Sequence, residues 1–300
     1  MVDTAAHHSI LVGVDGSNSA LHAVKWAAEE GVARHVPLRL FHACMLPPMG
    51  PHVTTVTTAA MIESLVEQGH HWLRLAREAA LAAVPDLEVH TDLRVGPAAG
   101  EIIDESAKSR LVVLGSRGLG GFKGLLVGSV SVALAGHGHC PVVVVRGRMP
   151  DDPPPAGGPI LVGVDGSPVS DAAVEFAFEE ASFRQTALVA VHTWLDVSVG
   201  DTWAALPSDI DWDSVAGDES RLLAERLAGW REKYPDVELH PRVLRDRPVR
   251  GLLSEAEGAQ LIVVGSRGRG GLAGMGLGST SQTLLHHSEC PVAVVRPVDG

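Results

Sequence analysis

Cysteine and aromatic residues are scarce in this chain of 300 residues, which has three cysteines, one tyrosine and 4% aromatic residues. Three cysteines without a CxxC pair exclude a disulfide-based scaffold and fit a reducing compartment. No apolar run approaches the roughly 20 residues needed to cross a bilayer. Met1–Ser9 has no basic segment followed by an apolar stretch. We therefore predict a soluble, cytoplasmic protein without a membrane partner.

Positive charge is also in short supply. The chain has 24 Lys and Arg against 36 Asp and Glu, which gives a net charge of −12. Residues 1–150 hold 12 basic and 13 acidic side chains, and residues 151–300 hold 12 and 23. Because an acidic chain does not attract nucleic acid non-specifically, we predict no nucleic-acid partner. We interpret the acidic excess of the second part as a solvated surface.

A repeat with an offset of 150 residues divides the chain into two halves. ILVGVDGS occurs at Ile10–Ser17 and again at Ile160–Ser167. The same offset relates Gly115-Ser-Arg-Gly118 to Gly265-Ser-Arg-Gly268. Between the halves, Pro and Gly residues exclude regular structure. We predict a first domain at 1–146, a linker at 147–159 and a second domain at 160–300.

Short β-branched runs alternate with longer amphipathic segments within each half, which is typical of βαβ units. Candidate strands of the first half are Ile10–Val14, Leu38–Ala43, Leu87–Leu93, Leu111–Leu114 and Val142–Val145, and their apolar character predicts burial on both faces. Candidate helices are Asn18–Ala33, Ala60–Ala83, Ala98–Ala107 and Ser129–Gly136. The pattern predicts an α/β fold with two tandem, doubly wound, five-stranded parallel sheets of order 3-2-1-4-5.

Two details of the connections accompany this prediction. Ser17 is a candidate N-cap, and Pro168 suits the first turn of the opening helix of the second half. Met45–Thr58 and Leu195–Asp218 follow the second strand of each half, differ in sequence and are predicted to be loops. They are either covers over the strand ends or surface loops without a role.

A glycine-rich segment follows the fourth strand in both halves, from Gly115 to Ser129 and from Gly265 to Ser279. Glycines let a backbone approach a ligand closely, so that successive N–H groups converge on an anion. Each segment ends where a helix begins, and unpaired N–H groups there attract phosphate. The segment is either a phosphate-binding cradle, which we favour, or a flexible loop. Neither the P-loop pattern nor GxGxxG after the first strand is present.

An aspartate ends the first strand of each half, at Asp15 and Asp165. Strands one and four are neighbours in the predicted order, so Asp15 is expected beside Gly115, where ligands bind in such folds. The carboxylate accepts a hydrogen bond from a ribose or base, holds Mg²⁺ beside the phosphates, or caps the next helix.

Other polar residues give weaker signals. His42 and His192 are interpreted as packed core residues, and Arg117 and Arg267 either pair with phosphate or form surface ion pairs. A zinc site is not predicted, because the His and Cys residues near the end of each half differ in spacing and lack a fourth ligand; they are His137, His139, Cys140, His286, His287 and Cys290. No catalytic triad or carboxylate pair stands out, so we assign no catalytic residue.

These motifs resemble the universal stress protein family, specifically its tandem-domain members common in actinobacteria. The ATP-binding subgroup carries G-x2-G-x9-G-[ST]. This pattern is matched by Gly115, Gly118, Gly128 and Ser129 and by Gly265, Gly268, Gly278 and Ser279. The resemblance implies an adenine nucleotide alpha hydrolase-like fold with one ATP site in each half.

The resemblance also implies roles for individual residues. The glycines and serines hold the phosphates, Asp15 and Asp165 contact the nucleoside or Mg²⁺, and Ala43 and Thr193 contribute to the adenine pocket. The predicted ATP-contacting residues of the first half are Gly13, Asp15, Ala43, Gly115, Ser116, Arg117, Gly118, Gly120, Gly121, Gly128 and Ser129. Those of the second half are Gly163, Asp165, Thr193, Gly265, Ser266, Arg267, Gly268, Gly270, Gly271, Gly278 and Ser279.

The halves depart unequally from the family pattern. The family's Val-Gly-x-Pro motif appears as Val95-Gly96-Pro97 in the first half, but Arg245-Asp246-Arg247-Pro248 replaces it in the second. We therefore expect unequal ATP affinities at the two sites.

In relatives the fifth strands pair across a two-fold axis, which implies an internal pseudo-dimer through Val142–Val145 and Val292–Val295. A homodimer of chains is a further expectation.

The function that this resemblance implies is regulatory. We expect an ATP-binding stress-response protein that signals through nucleotide occupancy, with little or no turnover. The alternatives are a weak ATPase or an adenylyl- or phosphoryl-transfer enzyme, which would need a positioned base, and a structural dimer whose glycine segments bind nothing.

Overall fold

Our structure, a computed structural model, describes residues 9–45, 55–119, 127–149, 152–194, 211–268 and 276–297. The chain divides into two compact units, Met1–Pro154 and Pro155–Gly300. The predicted domain limits at 146 and 160 stay a prediction. Within the described ranges, no helix is long and apolar enough to cross a membrane.

Strands and helices alternate throughout both halves. The first half contains β1 (Ile10–Gly13), α1 (Asn18–Arg34), β2 (Leu38–Cys44), α2 (Thr55–Ala83), β3 (Val89–Val95), α3 (Ala98–Ser106), β4 (Leu111–Gly115), α4 (Ser129–His137) and β5 (Val142–Val145). The second half contains β6 (Ile160–Gly163), α5 (Pro168–Arg184), β7 (Leu188–Thr193), α6 (Trp212–Lys233), β8 (Leu239–Leu244), α7 (Pro248–Glu255), β9 (Leu261–Gly265), α8 (Ser279–His287) and β10 (Val292–Val295).

Each half has a parallel sheet in the predicted order. The first sheet runs β3-β2-β1-β4-β5 and the second runs β8-β7-β6-β9-β10. Ile10 lies opposite Leu38 of β2 on one side and Leu111 of β4 on the other. The direction of winding reverses between β1 and β4, so a crevice opens beyond the carboxyl ends of these two strands. The predicted fold class is confirmed.

Local sequence signals set the start of the first helix in each half. The Ser17 side chain accepts a hydrogen bond from the N–H of Ala20 at 3.1 Å. Ser167 does the same for Ser170 at 3.2 Å, with Pro168 in the first turn. Capping by serine satisfies one of the unpaired N–H groups of a helix start. The predicted Ser17 cap and the predicted position of Pro168 are both confirmed.

Some predicted boundaries and burial patterns are wrong. The third strand begins at Val89 instead of Leu87, because the N–H of Leu87 donates to the Val84 carbonyl in a turn at 3.4 Å. This strand lies at the sheet edge and is partly exposed, so burial on both faces does not extend to it. Helices also begin within the two segments predicted to be loops, α2 at Thr55 and α6 after the capping Asp211.

A buried carboxylate links β2, β3 and α3 in the first half. Glu105 has a side chain that is 1% exposed, and it pairs with Arg39 and, at 2.9 Å each, with Arg94 and Lys108. Burial acts to raise the pKa of Glu105. The hydrogen bonds from Lys108 and Arg39 and the charge of Arg39 outweigh burial and lower this pKa from 4.5 to about 2.

Replacing this carboxylate should destabilise the first half. We expect Glu105→Gln to lower the free energy of unfolding by about 3 kcal/mol, because the buried carboxylate loses its ion pairs with Arg39, Arg94 and Lys108. The folded pKa of about 2 lies below the unfolded value of 4.5, so the stabilisation is complete above pH 4.5 and is lost as the pH falls towards 2. Calorimetric unfolding of both proteins over this pH range measures the effect.

The second half supplies a matched control. Glu255 lies 150 residues after Glu105, is 29% exposed and pairs with Arg242 at 3.6 Å. Because partly exposed single pairs contribute little, Glu255→Gln should cost less than about 1 kcal/mol. Equal losses in the two variants would contradict the role of burial.

Candidate functional site

The carboxylate of Asp15 joins the end of β1 to the segment after β4. Its Oδ1 accepts hydrogen bonds from the Ser17 N–H at 3.0 Å and the Ser17 hydroxyl at 2.7 Å. Its Oδ2 accepts from the N–H of Leu119 at 2.9 Å. Asp15 and the glycine-rich segment therefore meet at the crevice, as the strand order predicts.

Glycine is required where this segment passes the carboxylate. A Cβ atom on Gly118 would lie 2.3 Å from Oδ2 of Asp15, and one on Gly268 would lie 2.6 Å from Oδ2 of Asp165. Asp165 also accepts from the N–H and hydroxyl of Ser167, at 2.9 and 2.7 Å. Both halves thus hold the first turn of the glycine-rich segment against the aspartate, with no room for a side chain between them.

The two ends of each glycine-rich segment are tied together. The N–H of Gly128 donates to the carbonyl of Ser116 at 2.7 Å, and Gly278 donates to Ser266 at the same distance. Gly128 and Gly278 are the N-cap residues of α4 and α8, and neither supplies a side-chain cap. In the part of the chain that the structure describes, no N-cap side chain accepts from the first-turn N–H groups of either helix, and the positive end of each helix dipole lies beside the aspartate crevice.

Four predicted ATP-contacting glycines, Gly120, Gly121, Gly270 and Gly271, lie outside the described residues. Ser129 and Ser279, the first residues of α4 and α8, are exposed. The carbonyl of Arg117 accepts a hydrogen bond from the Ser17 hydroxyl at 3.2 Å, which docks the backbone of the segment on α1.

The strand-end residues fall into two groups. Ala43 and Thr193 are half-buried near the carboxyl ends of β2 and β7, within the same edge of each sheet. Gly13 has a different explanation: a Cβ there would lie 2.4 Å from Cδ2 of Leu114, so packing between β1 and β4 favours a glycine at this position without any ligand. Gly163 is less crowded, with Leu252 at 3.3 Å.

Two histidines secure the ends of the first strands. Nδ1 of His42 donates to the Val14 carbonyl at 2.6 Å, and Nδ1 of His192 donates to Val164 at 2.7 Å. Both side chains are buried. Their interpretation as hydrogen-bonded core residues is confirmed.

The side chain that packs against the turn after the first strand differs between the halves. Gly16 (φ +86°) faces the indole of Trp72, whose Nε1 would lie 2.4 Å from an added Cβ. At the equivalent Gly166 (φ +80°), the guanidinium of Arg226 takes this place and donates to the Gly166 carbonyl at 3.0 Å. A neutral ring in one half is thus replaced by a cation in the other.

The two histidines have different neighbours as well. Trp72 lies edge-on to His42, with 5.1 Å between ring centroids. In the second half, Oε2 of Glu219 lies 3.0 Å from Nε2 of His192. The position equivalent to Glu219 is Gly69, which leaves no room for a side chain because its Cβ would meet the His42 ring at 2.6 Å.

Protein groups alone do not form a metal centre in the part of the chain that the structure describes. No group of three or more His, Cys, Asp or Glu side chains there is placed to hold a metal ion. Cys140 and Cys290 are buried, and burial raises the pKa of Cys140 to about 12. A magnesium ion at Asp15 or Asp165 would therefore need phosphate oxygens and water as its other ligands.

Sequence reasoning missed several polar residues at this site. Ser131 and Ser281 donate through their hydroxyls to the carbonyls of Gly115 and Gly265, at 3.0 and 2.6 Å. These serines recur at the 150-residue offset, so comparison of the halves could have found them. Trp72 and Arg226 do not recur at that offset, and no pattern in the sequence indicates their contacts.

Comparison with known proteins gives consistent results. The profile of the universal stress protein family matches residues 7–146 and 158–296. A universal stress protein of Mycolicibacterium smegmatis is 42% identical over 307 residues, covering 99% of this chain and 100% of the relative. One from Mycobacterium tuberculosis is 41% identical over 291 residues, covering 96% of each chain. The crystal structure of a universal stress protein from Archaeoglobus fulgidus has the same fold, with a TM-score of 0.69, 22% identity and coverage of 96% and 98%.

One buried hydroxyl distinguishes the two sites. Ser116 Oγ lies 3.4 Å from Ser19 Oγ, whereas Ser266 Oγ, on a residue that is 1% exposed, has no hydrogen-bond partner among the described residues. The position equivalent to Ser19 is Val169. Within the described part of the second site, this buried hydroxyl is therefore unsatisfied, which is destabilising.

Removing the two hydroxyls should have opposite effects. We expect Ser116→Ala to lower the free energy of unfolding by about 1 kcal/mol, and Ser266→Ala to leave it unchanged or to raise it by about 1 kcal/mol. Val169→Ser should also stabilise the second half by giving Ser266 a partner. Scanning calorimetry measures all three variants, and a destabilised Ser266→Ala protein would show that this hydroxyl has a partner.

Proposed function

Because the chain belongs to the universal stress protein family, we propose that it is a regulatory protein that binds one ATP in each half. The observation that carries this proposal is the contact between the glycine-rich segment and the aspartate after the first strand. In this contact, Leu119 donates to Asp15 and no side chain fits at residue 118. This contact lies beside the crevice beyond the carboxyl ends of β1 and β4, where nucleotides bind in doubly wound sheets.

The phosphate end of the proposed site is the start of α4 or α8. Gly128 and Gly278 leave the first-turn N–H groups without a side-chain acceptor, and the positive end of the helix dipole favours an anion there. Exposed hydroxyls at Ser129 and Ser279 add donors beside them. These features support triphosphate binding without a P-loop.

The nucleoside end is the crevice beside Asp15 or Asp165. The Asp15 oxygens already accept hydrogen bonds from Ser17 and Leu119, and a carboxylate has further lone pairs for a ribose hydroxyl or for Mg²⁺. Ala43 and Thr193 lie at the neighbouring strand ends, where the adenine ring is proposed to bind.

The proposed regulation acts through nucleotide occupancy. In this proposal, nucleotide occupancy of the crevice favours one conformation for a protein partner. The site acts in the cytoplasm under stress conditions, with slow or no hydrolysis. Homodimer formation belongs to the same proposal. Mass spectrometry of small molecules released from the purified protein identifies the nucleotide, and phosphate release above a no-protein control would favour the ATPase alternative.

A methyl group in the crevice should abolish binding. We expect Gly118→Ala to remove one of two ATP sites and Gly118→Ala with Gly268→Ala to remove both. The added carbon in each case would lie within 2.6 Å of a carboxylate oxygen and force the segment away. Titration calorimetry should give two ATP per wild-type chain, one for the single variant and none for the double variant.

Gly229→Ala is the matched control, because nothing lies within 4 Å of a Cβ at this exposed helix position. It should bind ATP like the wild type. Unchanged affinity in the folded double variant would show that the cradle assignment is wrong.

Removal of one carboxylate should act on one site. We expect Asp15→Ala to weaken ATP binding in the first half by about tenfold, because the contact to Leu119 is lost. The second site should keep its affinity, since Asp165 is intact. In the Gly268→Ala background only the first site should bind ATP, and in the Gly118→Ala background only the second should. Asp15→Ala should weaken binding in the first background and not in the second. Equal weakening in both would contradict this assignment.

A further inference from the structure

An arginine follows the last strand of each half, Arg146 after β5 and Arg296 after β10, at the 150-residue offset. The last strand runs beside the strand that leads into the glycine-rich segment. In the second half the N–H of Ser266 donates to the Val295 carbonyl at 2.7 Å, and the equivalent bond in the first half is 3.0 Å. Both arginines therefore begin next to the first turn of the segment.

The side chains do not extend freely into solvent. Arg146 is only 5% exposed, which is rare for arginine. Arg296 donates from Nη2 to the carbonyl of Gly276, two residues before Gly278 and the start of α8. The Arg296 guanidinium thus lies within the far end of the glycine-rich segment, against the helix start.

A second cation lies close to this guanidinium. Burial lowers the pKa of Arg296, and the charge of Arg267 lowers it further. Two like charges and the positive end of a helix are held together in a half that has 23 acidic and 12 basic side chains. Such a concentration of positive charge favours a multiply charged anion.

We infer that Arg296 with Arg267 binds the outer phosphates of a nucleoside polyphosphate in the second half. This inference rests on the proposed function and goes further, because it makes the second site selective for the number of phosphates. The backbone amides at the helix start would serve any nucleotide, including a monophosphate. Only the added phosphates of a di- or triphosphate would need the arginines.

The test uses the full chain with the first site removed by Gly118→Ala, so that binding reports the second half. In this background we expect Arg296→Gln to weaken ATP binding by about 10- to 100-fold and AMP binding by less than about twofold. The matched control is Arg231→Gln. Arg231 is exposed near the C-terminal end of α6, at the opposite end of the strands, so this substitution should change neither affinity.

Arg296→Lys separates charge from fold. It keeps a cation and should retain a preference for ATP over AMP, with ATP affinity between those of the parent and Arg296→Gln. Equal weakening of ATP and AMP, or no effect of either substitution, would overturn the inference while leaving ATP binding intact. If the parent chain binds neither nucleotide, the proposed function itself fails.

Discussion

The contact between a carboxylate after the first strand and the backbone after the fourth strand is the constraint on which each half depends. It exists because β1 and β4 are adjacent, which brings Asp15 to 2.9 Å from the Leu119 N–H although the two are far apart in sequence. The glycine at 118 or 268 is a consequence, since the carboxylate occupies the space of a side chain. The paired ends of the glycine-rich segment then fix where α4 and α8 begin.

Much of this arrangement could be predicted from the sequence, because it depends on backbone patterns. Buried aliphatic runs define the strand order, and the repeated glycines mark close backbone approach. Boundaries were less predictable: the apolar Leu87 resembles a strand residue but lies in a turn, and α6 begins in a segment whose sequence differs between the halves. The contacts of Trp72 and Arg226 could not be predicted, since they depend on how a helix packs over a turn.

The two halves keep the same backbone and replace its supporting side chains. Ser19 pairs with Ser116, but Val169 gives Ser266 no partner among the described residues. In the first half several cations form ion pairs with the buried carboxylate of Glu105. The equivalent Glu255 of the second half forms a partly exposed ion pair. The two proposed nucleotide sites therefore differ in the side-chain contacts that hold the crevice. Unequal nucleotide affinity would be a natural outcome.

The replacement of Trp72 by Arg226 has a consequence for solution conditions. The indole holds the first-half turn by packing, which dissolved ions barely affect. Arg226 is 43% exposed and lies 3.9 Å from Asp171 while it donates to Gly166, so counterions screen part of what fixes the second-half turn. Ionic strength therefore acts unequally on the two turns, and added salt would weaken the contacts of the second-half turn while leaving those of the first-half turn in place.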